Sequence, residues 1–374
     1  MKKIKVMTIF GTRPEAIKMC PLIKEMQMHS EIKSVVCLTG QHKEMLQQVI
    51  DIFSIQVDYN LHIMKPLQTL TTITTDILIL MKPILEKERP DIVLVHGDTT
   101  TSFAVALAAF YEKIPVGHVE AGLRTYDKYA PFPEEMNRTL TSRIADIHFA
   151  PPRANQLCLE KENIYNNIFV TGNTVIDALN TTVREDYQFK SEQLKSISFV
   201  GKRMILVTAH RRENLGKPLE QICEAIKEIV DSYSDIEVVY PVHLNPKVRE
   251  TVTKMLEKNP KIHLIDPIDV EDMHNLMARS YLVMTDSGGI QEEAPSCGIP
   301  VVVLRNETER REAIEAGTVL LAGTKREDIV REVKLLIEDG VKYQEMARAV
   351  NPYGDGHASE RIVEALFLYF GGKE

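Results

Sequence analysis

Short, unbroken runs of Ile, Val and Leu recur along this chain, and the intervals between them leave room for helices. They lie at 3–10, 34–39, 91–96, 115–119 and 147–150, and again at 204–208, 237–240, 262–265, 281–285, 301–304 and 319–321. A strand apolar on both faces belongs in a sheet that is covered on both faces. Strands separated by helical stretches are joined by right-handed crossovers and run parallel. The rhythm fails over 185–202, a polar segment rich in Ser, Lys and Gln that reads as a linker. With 374 residues in all, and about 150 per domain, the expected number of domains is roughly two. The expectation is therefore an α/β protein of two Rossmann-like, doubly wound domains, 1–185 and 186–374, facing a cleft between the carboxyl ends of their strands. The last helix, near 358–369, would cross back to the first half.

Composition narrows the function classes. A chain that is 44% hydrophobic and 26% charged is that of an ordinary soluble globular protein. No apolar run approaches the ~20 residues of a membrane helix. The opening run passes at once into Gly11-Thr12-Arg13-Pro14, unlike a secretory leader, so a cytoplasmic location is expected. Five scattered cysteines with no C-x-x-C pair indicate neither a disulfide framework nor a zinc knuckle. They read as small buried hydrophobes, and no metal is expected. A net charge of -8 argues against general affinity for nucleic acid.

Polar groups collect where these runs end. Gly11-Thr12-Arg13-Pro14-Glu15 turns the first strand into a helix. Arg13 and Lys18 flank that helix start, where positive charge opposes the macrodipole unless an anion binds. The plainer alternative is two solvated surface residues. The segment 96–138 carries three carboxylates at strand ends, Asp98, Glu120 and Glu134, interleaved with Arg124 and Arg138. In the second half, Ser287-Gly288-Gly289 opens a helix after a strand, a backbone arrangement suited to a diphosphate, with Glu293 placed to take ribose hydroxyls. His210 and His243 follow strands of the same half, and Arg310 is a further candidate for a phosphate or nucleotide. The first strand lacks a G-x-G-x-x-G fingerprint, which argues against a nicotinamide dinucleotide.

Taken together, these residues resemble the non-hydrolysing UDP-N-acetylglucosamine 2-epimerases. The resemblance runs almost end to end, through Gly11-Thr12-Arg13-Pro14-Glu15, Gly40-Gln41-His42, Gly97-Asp98-Thr99-Thr100, Val119-Glu120-Ala121-Gly122-Leu123-Arg124 and Pro131-Phe132-Pro133-Glu134-Glu135 with Asn137-Arg138. It continues through Thr171-Gly172-Asn173, His210-Arg211-Arg212-Glu213, Ser287-Gly288-Gly289 and Asn351-Pro352-Tyr353-Gly354-Asp355-Gly356. Arg311 departs from the usual proline and His357 from the common lysine. The resemblance implies the glycosyltransferase-B fold, a UDP-sugar substrate, a homodimer, and ManNAc units supplied for cell-surface polysaccharide. It also implies a possible activator site at Gln41 and His42. Glu44 and Leu67, however, stand where regulated members carry glutamine and arginine.

The implied reaction explains the residue types. The hydrogen at sugar C2 is not adjacent to a carbonyl, so either a neighbouring carbon is oxidised or the C1–O bond breaks first. With no dinucleotide fingerprint, elimination of UDP to 2-acetamidoglucal and re-addition is the better reading, with no cofactor. It needs carboxylates for protons at C2 and for the developing cation, and positive groups for the departing diphosphate. Asp98, Glu120 and Glu134 fit the first set, with Asp98 and Glu120 favoured at C2. Arg13, Lys18, Arg138, His210, His243, Ser287, Gly288, Gly289, Glu293 and Arg310 are candidates for holding substrate, and His210 also for aiding departure of the leaving group. The rival readings are a hydrolysing epimerase that releases ManNAc, a glycosyltransferase of the same fold, and a non-catalytic UDP-sugar sensor.

Overall fold

The computed structural model describes residues 3–40, 43–308 and 310–372. The chain forms two compact units, one of residues 1–178 with 353–374 and the other of residues 179–352. Each is built on one parallel sheet with helices between its strands.

In unit 1 the strands are β1 (Ile4–Phe10), β2 (Ile32–Leu38), β3 (Tyr59–Asn60), β4 (Ile92–His96), β5 (Val116–Val119), β6 (Ile147–Ala150) and β7 (Ile168–Val170). Their spatial order is β3-β2-β1-β4-β5-β6-β7. β1 is central: Met7 lies opposite Val35 on one side and Val93 on the other. The edge strands β3 and β7, two and three residues long, are too short to leave an apolar pattern in the sequence. Unit 2 repeats the plan with β8 (Arg203–Thr208), β9 (Ile236–Pro241), β10 (Ile262–Ile265), β11 (Leu282–Thr285), β12 (Val301–Val303) and β13 (Val319–Leu321), in the order β10-β9-β8-β11-β12-β13. In both sheets the order reverses beside the first strand of the unit. Crevices for ligands open at the carboxyl ends of strands at such a reversal.

Local chemistry starts and stops the elements. Thr12 caps the helix Arg13–Met28, and Glu15 returns to the backbone N–H groups of Thr12 at 2.8 Å and Gly11 at 3.1 Å, a capping box. The closing helix Ala358–Gly371 belongs to unit 1, where the Asp177 carboxylate accepts from the N–H groups of Ala358 at 3.2 Å and Ser359 at 2.7 Å. A carboxylate there satisfies orphan donors and complements the helix dipole. Cys20, Cys37 and Cys223 are buried and Cys158 and Cys297 half-buried, all as free thiols.

The segment 185–202 is not the loose linker expected of it. It belongs to unit 2 and is bound along the start of the helix Val270–Ala278. The buried Asp272 accepts from Tyr187 Oη at 2.9 Å and from the N–H groups of Lys190 and Ser191, each at 2.8 Å. Polarity marked a hydrogen-bonded strap there, since buried polar groups must find partners. No helix among the described residues is long and apolar enough to cross a membrane.

Candidate active site

The carboxyl ends of β1, β4 and β5 bring the acidic stretch of unit 1 together. Glu15, 2% exposed, fixes the two neighbouring turns to each other. Besides the Gly11-Thr12 turn it accepts from Thr99 Oγ1 at 2.7 Å and Ser102 Oγ at 3.3 Å, at the start of the helix Thr100–Tyr111. Asp98 belongs to the second of these turns. Its carboxylate pairs with the Arg138 guanidinium at 2.8 Å, and its carbonyl accepts from Asn137 Nδ2 at 3.0 Å. Both partners come from the helix Glu134–Ile144, whose first turn carries Glu134, half-buried. Burial pushes the Asp98 pKa up; Arg138 opposes this, and Glu120 and Glu134 add to it.

Glu120 follows β5 in the left-handed backbone region, with φ of 60°. A non-glycine residue there costs about 1–3 kcal/mol, and such strain concentrates at functional sites. The Lys18 ammonium donates to its carboxylate, and His96 Nε2 lies 3.0 Å from the same oxygen. Burial alone would raise the Glu120 pKa, but Lys18 and His96 outweigh it and hold the group well below the ordinary carboxylate range. Two neighbouring carboxylates thus have their proton affinities pushed apart, one favoured as acid and the other as base.

A second layer supports these groups. The buried His118 ring has Nε2 2.7 Å from the Gly97 carbonyl, and burial lowers its pKa to about 3, so it acts as a neutral hydrogen-bonding group. Arg124, fully buried, donates to Glu162 at 2.7 and 3.1 Å and to Ser142 Oγ at 3.0 Å. Between Glu120 and Arg124, Gly122 turns the chain at φ 93°, and a Cβ there would fall 2.2 Å from the Asn155 carbonyl oxygen. Only glycine fits. Arg13 is half-buried beside the N-terminus of its helix, without a hydrogen-bond or ion-pair partner among the described residues.

Unit 2 gathers different chemistry at the ends of β8, β9 and β11. Asp286, fully buried after β11, accepts through Oδ2 from the N–H groups of His210 and Arg211, each at 2.8 Å, and from Asn214 Nδ2 at 2.9 Å. It builds the loop that presents His210. His210 and His243 stack nearly parallel, with centroids 4.9 Å apart and planes inclined by 6°. Ser287, Gly288 and Gly289 open the short helix Gly288–Glu293, which has no side-chain cap. The Arg310 guanidinium lies over Gly288 and donates to Glu292 at 2.6 and 2.7 Å. A Cβ on Gly288 would come within 2.5 Å of Arg310 Cζ. Glu293 Oε2 lies 3.6 Å from His274 Nε2.

Unit 1 therefore brings Asp98, Glu120, Lys18 and Arg138 into one charged cluster, and unit 2 brings His210 and His243 together. Lys18 and Arg138, read in the sequence as substrate contacts, each hold a carboxylate. Arg310 is bound to Glu292. Gln41 and His42 lie outside the described residues. Reading from the sequence missed His96, Glu15, Glu135 and Asp286. Glu135, 3% exposed, accepts from the N–H groups of Thr125 and Tyr126, each at 3.0 Å. Adjacent acids in Glu134-Glu135 gave no sign of which one turns inward, whereas an aspartate directly after an apolar strand, as at Asp286, was a usable signal.

A family model described as UDP-N-acetylglucosamine 2-epimerase matches residues 24–367. The UDP-N-acetylglucosamine 2-epimerase of Bacillus subtilis is 55% identical over 373 residues, 99% of this chain and 97% of that protein. The crystal structure of the Neisseria meningitidis UDP-GlcNAc 2-epimerase bound to UDP-GlcNAc is 50% identical, with a TM-score of 0.89 over 97% of this chain and 100% of that one. A Methanocaldococcus jannaschii UDP-GlcNAc 2-epimerase, in complex with UDP-GlcNAc and UDP, is 34% identical, with a TM-score of 0.79 over 97% of this chain and 99% of that one. The chain belongs to the UDP-N-acetylglucosamine 2-epimerase family.

Proposed function

We propose that this protein interconverts UDP-N-acetylglucosamine and UDP-N-acetylmannosamine without releasing free sugar. The C1–O bond breaks and its electron pair leaves with UDP. The proton at C2 passes to a carboxylate, leaving 2-acetamidoglucal. A proton then returns to C2 from the other face while a phosphate oxygen of UDP re-forms the bond to C1. Atoms and charge balance with no redox step.

The observation that carries this reading is the cluster in which Asp98 is paired with Arg138 and Glu120 with Lys18 and His96 at neighbouring strand ends. These surroundings push the proton affinity of Asp98 up and that of Glu120 down. Exchange on two faces of one carbon needs one group that gives a proton and one that takes it, and the pair meets that need. Glu134, close enough to influence Asp98, is assigned to the developing cation. In unit 2, His210, His243, Ser287, Gly288 and Gly289 are assigned to the diphosphate and Glu293 to the ribose. Arg13 is assigned to a phosphate from unit 1. The complexes of the Neisseria and Methanocaldococcus relatives with UDP-GlcNAc support the ligand class.

Incubation with UDP-GlcNAc in heavy water, followed by NMR, tests the reaction. The expected product is UDP-ManNAc carrying deuterium at C2, formed without added NAD or metal. Free ManNAc as the product, or a sugar nucleotide that stays unchanged until an acceptor is supplied, overturns the reading. Homodimerisation belongs to the same proposal, supported by exposed Ile79, Leu80, Phe110 and Tyr111 on two packed helices of unit 1. Light scattering at micromolar concentration checks it.

A further inference from the structure

Asp286 has two oxygens in different situations. Oδ2 accepts three hydrogen bonds, whereas Oδ1 is fully buried and has no hydrogen-bond partner among the described residues. A buried carboxylate oxygen left in this way is costly unless a donor reaches it. His210 Nδ1 lies 3.7 Å away, about an ångström beyond a charge-assisted hydrogen bond. A small rotation of the imidazole closes that gap, and catalytic hydrogen bonds are often long before ligand arrives. The His210 side chain is 40% exposed, so a ligand can reach the ring.

His243 limits how many protons the pair can carry. Its Nδ1 accepts from the Asn245 N–H at 3.0 Å, a bond that a proton on Nδ1 would break. Two stacked imidazolium rings 4.9 Å apart would repel one another. The stack therefore takes one proton, and takes it on His210, the ring that faces Asp286.

We propose that seating a nucleoside diphosphate draws one proton onto His210, clamped between the ligand's phosphate oxygens at Nε2 and Asp286 Oδ1 at Nδ1. Asp286 is then a positioning residue that orients the ring and supplies its buried counter-charge. This rests on the UDP-binding reading of unit 2. The titratable and charged groups around His210 are Asp286, His243 and Arg211. In the free protein burial holds its imidazole below the ordinary value; Asp286 opposes this, and His243 and Arg211 add to it. An arriving dianion reverses the balance. Affinity for the diphosphate consequently rises as pH falls through the window between the free and bound pKa values of His210.

Calorimetric titration of the whole protein with UDP-GlcNAc, repeated in buffers of different ionisation enthalpy, measures the proton directly. UDP-GlcNAc carries no group of its own that titrates near neutrality, and epimerisation releases no proton. Uptake of about 0.5–1 proton per ligand is expected near pH 7.5, falling towards zero in His210→Asn. Asp286→Asn should lower affinity about tenfold and flatten its pH dependence, which mere loss of a loop contact would not do. Should that variant not fold, 15N chemical shifts of the wild-type imidazoles decide, with both His210 nitrogens expected protonated in the complex. Binding whose enthalpy ignores the buffer, or a neutral His210 in the complex, overturns the inference alone. Absence of any binding overturns the UDP reading, and the inference falls with it.

Discussion

The two units share a strand order and differ in what they place at its reversal. Unit 1 sets carboxylates there and binds them to basic side chains: Lys18 and His96 on Glu120, Arg138 on Asp98. Unit 2 inverts the arrangement. Asp286, directly after β11, is fully buried, and the histidines of the neighbouring loops, His210 and His243, are exposed. A doubly wound sheet fixes where functional groups stand, and the residues at its strand ends decide whether the place moves protons or holds an anion. On the proposed reading, the same plan serves acid–base work in one unit and anion binding in the other.

The largest test of that division is Glu120→Gln. Removing a positioned acid–base group should lower kcat by about 10²–10⁴-fold, and deuterium incorporation at C2 should fall with it. If the units divide the work as described, UDP binding measured by calorimetry stays within a few-fold of wild type. An equal loss of UDP affinity would dissolve the distinction.

Next in size is Arg124→Ala, a change in the support of unit 1 and not in its reacting groups. The guanidinium is fully buried and bound to Glu162, Ser142 and the Leu123 carbonyl. Deleting one partner of a buried pair typically costs about 3–5 kcal/mol, and thermal melting of the variant reads it. Arg124→Lys should recover little, because an ammonium cannot make the forked contact.

A smaller effect is expected in unit 2. Gly288→Ala places a methyl group 2.5 Å from Arg310 Cζ, so the guanidinium must shift from Glu292. We expect KM for UDP-GlcNAc to rise about tenfold, ~1.4 kcal/mol, with kcat changed much less. Steady-state kinetics separates the two, and a fall in kcat with KM unchanged would assign Gly288 to chemistry and not to binding.

Much of this was legible in the sequence because the physics is local. Continuous apolar runs at 3–10 and 204–208 announce buried parallel strands, and Thr12, Pro14 and Glu15 announce the helix that follows. Asp98, Glu120 and Ser287 could be found because each lies within two residues of the end of such a run. What could not be read depends on residues distant in sequence. Lys18 lies 102 residues from Glu120, and its lysine-type charge suits a phosphate as well as a carboxylate. Segment 185–202 looked like a linker because its partner, Asp272, lies on another helix. Whether polar residues are solvated or bonded is settled by packing, which a local pattern does not record.

The last contrast lies within unit 1, and at neutral pH it is the smallest. The two carboxylates should contribute to stability with opposite pH dependence. Glu120 has its folded pKa depressed below 4.5, so its contribution is fully present above that value and is lost as pH falls through the folded pKa. Glu120→Gln removes this loss, and its melting temperature should decline less than that of wild type on acidification below about pH 4.5. Asp98 has its folded pKa raised above 3.8. Its sign is reversed: the stability it contributes is present below 3.8 and lost as pH rises through the folded pKa. Asp98→Asn should therefore gain on wild type as pH rises through that window. Melting curves of the three proteins across the acid range decide the matter. Parallel curves for the two variants would mean that Asp98 and Glu120 titrate alike, and with that the split that assigns one as acid and the other as base would disappear.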